Sequence, residues 1–148
     1  MLKILKRLFA DSGSDAAMPG SERRHLHLAV AILLHESTRV DLESHAAEYA
    51  AAERALADLF GLDVVECAAL LKESRDKGGM TSYFTQVAVI KRDFSMEQRV
   101  ALIEHLWRIS YAHGELDRYE DHFVRKIAHL LYVPNTQTML ARAGAQGV

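Results

Sequence analysis

The stretch LWRISYAHGELDRYEDHFVRKIAHLLYVP, Leu106 to Pro134, reads as two helices joined by a polar turn. Val100, Ile103, Leu106 and Trp107 recur at three- and four-residue spacing, which puts them on one face of the first helix. Ser95-Met-Glu-Gln98 opens that helix as a capping box, with the hydroxyl and the glutamine each satisfying a first-turn amide. His113-Gly114 breaks the periodicity, and Asp117-Arg-Tyr-Glu120 is a second capping box. It starts a helix running to about Tyr132, with Phe123, Ile127, Leu130 and Leu131 inward. Pro134 lacks an amide hydrogen and ends it, and Asn135 is placed to cap a short last helix around Met139.

Working back toward the N-terminus, the same pattern repeats. From Glu22, Leu26, Val30, Leu33 and Val40 fall at helical spacing, and the run Leu28–Leu34 is apolar on every side, which predicts a central helix. A second helix is predicted over Ala46–Phe60, with Ala52, Leu56, Leu59 and Phe60 inward and Gly61 as its stop. Asp63-Val-Val-Glu66 caps a third through Lys72, after which the polar run ESRDKGG reads as a connection. Thr81 is placed to cap a fourth carrying Phe84, Val87 and Ile90. No stretch with the two-residue period of a strand competes. The expected fold is all-α. Leu33, Leu56, Leu59, Phe60, Leu106, Trp107, Ile127 and Leu131 are expected in one shared core.

Composition sets the outer bounds. A chain of 148 residues, 49% hydrophobic and 26% charged, is one globular domain. The seven-residue apolar run is far short of the roughly 20 residues that a membrane-spanning helix needs. A formal charge of −2 provides no overall basic field to recruit nucleic acid. The single cysteine, Cys67, excludes a disulfide framework, and its apolar setting VVECAALL makes it a buried thiol rather than a nucleophile. Residues 1–21 divide off from the domain at 22–148. Leu2, Leu5, Leu8 and Phe9 form a short apolar stripe beside Lys3, Lys6 and Arg7, and the linker DSGSDAAMPGS follows. Such a segment reads either as a helix that docks back on the domain or as a weak, reversible membrane-surface or partner contact through residues 1–10.

Leu33–Leu62 aligns with His105–Val133 at an offset of 72 residues, as in Asp41 against His113. Glu43 then pairs with Glu115, His45 with Asp117, and Glu48 with Glu120. The expectation is a single bundle of about seven helices built around two pseudo-symmetric helix–turn–helix repeats.

The second unit resembles the repeat of the TerB-like (tellurite-resistance B) helical family, most nearly its stand-alone bacterial members. The resemblance rests on His113, Gly114, Glu115, Leu116, Asp117 and Glu120, read against Asp-Gly-Glu-hydrophobic-Asp-x-x-Glu, and extends over residues 25–145. Leu33-Leu34-His35-Glu36 through Asp41, Glu43 and Glu48 resembles a first copy. The resemblance implies a helical bundle and a cytoplasmic protein, associated in some members with the inner face of the membrane. It also implies acidic turns that bind a metal ion. The function it suggests is a non-enzymatic stress-response or membrane-associated adaptor that works through other proteins.

The candidate metal residues are Glu115, Asp117, Glu120, Asp121 and His113 in the second turn, with Asp41, Glu43 and Glu48 in the first. Clustered carboxylates supply the oxygen ligands that divalent cations take. The same residues equally read as helix caps. Gly114 permits a sharp turn, whereas Leu42 stands at the equivalent place in the first copy, so the second turn is the better expected site. His113 and His45 stand where the family pattern has Asp, which favours zinc or nickel over calcium. The remaining histidines read as surface or partly buried residues. The alternative function is a metal-assisted enzyme on a helical bundle. However, HEST at His35 lacks the second histidine of H-E-x-x-H, and Gly78-Gly79 lacks the following Lys-Ser/Thr of a phosphate loop.

Overall fold

Residues 20–39, 46–78, 83–112, 114 and 116–147 are described by the structure, a computed structural model of the chain. They form α1 Gly20–Arg39, α2 Ala46–Phe60, α3 Val64–Gly78, α4 Phe84–Asp93, α5 Met96–Tyr111, α6 Arg118–Leu130 and α7 Asn135–Gly147. No strand occurs among the described residues, so the fold is the expected all-α bundle.

Two helices are central. The run Ala29–Leu34 of α1 is buried, and α1 packs against α2, α3, α4 and α5. On α5 every residue from Ala101 to Trp107 is buried, and the helix packs against α1, α2, α6 and α7. Both helices are covered on several sides, which explains the apolar circumference of the first. The expected core holds, with Phe60 only half-buried and its ring against His27 at 4.0 Å and Phe94 at 6.1 Å.

Local signals explain most boundaries. Gly61 takes φ +69 and its amide donates to the Ala57 carbonyl, closing α2 in the left-handed turn that glycine adopts without strain. The Ser95 and Gln98 side chains each accept from the other's backbone amide, starting α5. At the start of α3 the Asp63 carboxylate accepts from the Glu66 amide at 2.8 Å.

Five boundaries differ from expectation, the first being α1, which opens at Gly20 inside the segment read as linker and not at Glu22. α3 does not end at Lys72 but continues through the polar run to Gly78. Its Glu73 pairs with Arg24 of α1 at 2.9 Å and with Lys77 one turn on, while Ser74 is buried and donates to the Leu71 carbonyl. Arg24 gives this polar stretch a tertiary partner, and the Glu73–Lys77 pair adds support within the helix. α6 ends at Leu130, two residues early, because Tyr132 takes φ +59 and its amide donates to His129. α7 is a full 13-residue helix and not a short one, with Asn135 its first residue. At α4, Tyr83 is the N-cap without a side-chain bond, and Thr81 lies outside the described residues, as does Val40. Phe84 is 56% exposed and not inward, because it stands at the first turn of α4 with its ring against Tyr83.

The ends of α4 and α6 share one clamp. Arg99 of α5 donates from Nε to the Phe94 carbonyl at 3.2 Å, from Nη2 to Lys91 at 3.1 Å and from Nη1 to Leu131 at 3.1 Å. Carbonyls at helix C-termini lack intrahelical donors, and one guanidinium supplies three.

Candidate functional site at the α5–α6 turn

Ala112 follows the last residue of α5, and Gly114 then takes φ +116 with its amide donating to the Tyr111 carbonyl at 3.0 Å. A side chain at that φ is strained, so the glycine fits the sharp reversal. Leu116 is half-buried against the core and anchors the exit of the turn. Asp117, in extended conformation, is the N-cap of α6. Its Oδ1 accepts from the Glu120 amide at 2.8 Å, and Glu120 Oε1 accepts from the Asp117 amide at 3.2 Å. The reciprocal box expected from Asp117-x-x-Glu120 is present.

Asp121 faces a different set of groups. Arg125 reaches its Oδ2 at 2.9 Å and Arg142 its Oδ1 at 3.5 Å. Arg142 Nε also donates to the Tyr111 hydroxyl at 2.8 Å, and its guanidinium lies 5.4 Å from the Trp107 ring centre. The turn is thereby tied to α5, α6 and α7 at once. Sequence reading missed Arg142, since nothing in ARAGAQGV marks a tertiary partner.

Asp117 and Glu120 are therefore brought together, and Asp121 is turned toward arginines. His113 and Glu115 lie outside the described residues, as do Asp41, Glu43 and His45 of the first turn. Glu48 is the third residue of α2, as Glu120 is of α6, and the two are 0% and 1% exposed. Such burial of a carboxylate is expensive unless it is engaged by polar groups. No group of three His, Cys, Asp or Glu side chains among the described residues is arranged to hold a metal ion. The described carboxylates alone therefore do not complete a cation site.

The family described as tellurite resistance protein TerB matches residues 27–143, from within α1 to within α7. This chain belongs to the TerB family. No curated protein and no solved structure matches it. The matched span contains both acidic segments. No helix of the described residues in this TerB-family chain is long and apolar enough to cross a membrane.

The histidines and the cysteine complete the chemistry. His25, His122 and His129 are exposed, but His27, His35 and His105 are buried, more deeply than the surface or partly buried placement expected. His35 Nδ1 lies 3.4 Å from the Tyr49 hydroxyl, linking α1 to α2. Burial pushes the Cys67 thiol up to about 11, with Glu53, Asp63 and Glu66 adding to the shift. It is a neutral core thiol at physiological pH, as expected from VVECAALL.

His105 makes stability depend on pH. Burial, helped by the charges of Arg108 and Arg54, pushes its imidazole down to about 4 from the usual 6.5. Its Nε2 has no hydrogen-bond partner among the described residues. Below pH 6.5 the unfolded chain takes up a proton that the native imidazole refuses until about pH 4, so stability falls across that window. Thermal melts of His105→Leu are expected to show a flatter pH dependence there. An unchanged slope would show that other groups set it.

Proposed function

We propose that this TerB-family chain is a non-enzymatic binding module, an adaptor for other proteins whose second acidic turn responds to a divalent cation. The observation that supports this most is the Asp117–Glu120 box standing directly after Gly114 at φ +116. An ion that engages Asp117 or Glu120 competes with a capping amide bond of about 1 kcal/mol. Occupancy is thereby coupled to the first turn of α6, and through Asp121 and Arg142 to α7. The proposed ligands are drawn from Glu115, Asp117, Glu120, Asp121 and His113, with Asp41, Glu43 and Glu48 forming the weaker site. The imidazole favours zinc or nickel over calcium, and proton competition weakens affinity as pH falls through about 6.5.

Calorimetric titration of tag-free protein with zinc, calcium and magnesium at neutral and mildly acidic pH tests this. Zinc is expected to bind below the millimolar range and more weakly in acid. Tight calcium binding would contradict the histidine argument, and no binding by any ion would leave both turns as caps alone. The reading places the protein in the cytoplasm, with residues 1–10 adding a weak contact to the inner face of the membrane. Removal of residues 1–20 should leave the melting temperature nearly unchanged while abolishing co-sedimentation with lipid vesicles.

A further inference from the structure

α6 exposes Arg118, Tyr119, His122, Arg125, Lys126 and His129. At about 100° per residue these positions fall within an arc of about 120°, opposite the buried Glu120, Val124 and Ile127. The stripe runs for three turns, about 16 Å, and no acidic side chain interrupts it. It continues onto α4, where Lys126 Nζ lies 5.3 Å from the Tyr83 ring centre and Tyr83 meets Phe123 edge-on. Just past the C-terminus of α6, Lys91 Nζ of α4 lies 4.4 Å from the ring centre of Tyr132, itself largely exposed.

The partners of these cations matter more than their number. Arg118, Lys126 and Lys91 rest over the rings of Tyr119, Tyr83 and Tyr132. A ring face holds a cation in place while leaving its charge uncancelled. Held side chains also lose less rotamer freedom on meeting an anion than loose ones do. Arg125 is the partial exception, since Asp121 pairs with it.

We propose that the α6 stripe is the docking face for an acidic peptide segment of a partner protein, with its carboxylates on Arg118, Lys126 and Lys91. This names the partner chemistry of the adaptor reading and is independent of the metal site. A short acidic segment is favoured over a bilayer or a long nucleic acid for an electrostatic reason. The chain carries a net charge of −2, so an extended anionic surface gains no net attraction from the rest of the chain. A peptide feels the local cations, because physiological salt screens charges beyond about 8 Å.

The test is fluorescence anisotropy of rhodamine-labelled octaglutamate titrated with the full chain at low and physiological salt. Binding is expected at low salt and should weaken as salt rises. Arg118→Glu combined with Lys126→Glu should weaken it at least tenfold. Lys72→Glu combined with Arg75→Glu, an equal charge change on exposed positions of α3, should leave it within about twofold. Circular dichroism of both variants checks that they are folded. Absence of binding at low salt, or equal loss in both variants, would overturn the proposal. So would tighter stripe-dependent binding of a single-stranded oligonucleotide or of anionic vesicles. Because the metal titration reads the α5–α6 turn, failure of this proposal and failure of the cation reading are separate results.

Discussion

Trp107→Ala is expected to cost about 3–5 kcal/mol, the range for removing a large aromatic side chain from a packed core. Trp107 is fully buried on α5, and its indole Nε1 donates to the Thr138 carbonyl of α7 at 3.1 Å. Arg142 of α7 lies over the same ring. Truncation therefore opens a cavity, removes the indole hydrogen bond to the Thr138 carbonyl, and removes the platform under the arginine that holds Asp121. The loss should appear as a lower urea midpoint by circular dichroism, with α7 amides losing hydrogen-exchange protection first. Trp107→Phe retains most of the packing but not the hydrogen bond, and should cost less. If Trp107→Ala costs under about 1 kcal/mol, the site collapses easily and α7 is held by other contacts.

Arg99→Ala should be the second large effect, at roughly 2–4 kcal/mol. Hydrogen bonds to a charged donor contribute about 1.5–3 kcal/mol each but do not add when they share one side chain. Three carbonyls at the ends of α4 and α6 lose their donor together. Arg99→Lys should recover only part of the loss, because an ammonium has no planar fork to span three acceptors. Full recovery by lysine would mean that charge near the two helix C-termini matters and the fork geometry does not.

The sequence was most readable where a signal depends on neighbours three or four residues apart. Asp117 with Glu120 and Ser95 with Gln98 are such pairs, and both boxes formed. Ala46–Phe60 was bounded correctly because its periodicity ends at a glycine that takes positive φ. What could not be read depends on partners far along the chain. The run after Lys72 looked like a connection because its helical support, Arg24 on Glu73, comes from 49 residues away. His105 looked like an ordinary helix residue, since its burial follows from the packing of α2 and α7 around α5. At the site, the local cap was legible. The turning of Asp121 toward Arg142 was not, because that contact needs α7 folded back on α6.

The central claim is that an ion at the α5–α6 turn acts on the first turn of α6. It is tested most directly by following the backbone amides of Asp117 and Glu120 in nitrogen–proton correlation spectra during a zinc titration at neutral pH. Each amide bonds the other residue's carboxylate, so recruitment of Glu120 releases the Asp117 amide and recruitment of Asp117 releases the Glu120 amide. The account predicts saturable shifts at these two amides, extending to Arg142, that vanish in Glu120→Gln or on mild acidification. Unmoved Asp117 and Glu120 amides up to millimolar zinc, or shifts confined to the exposed histidines His25, His122 and His129, would contradict it.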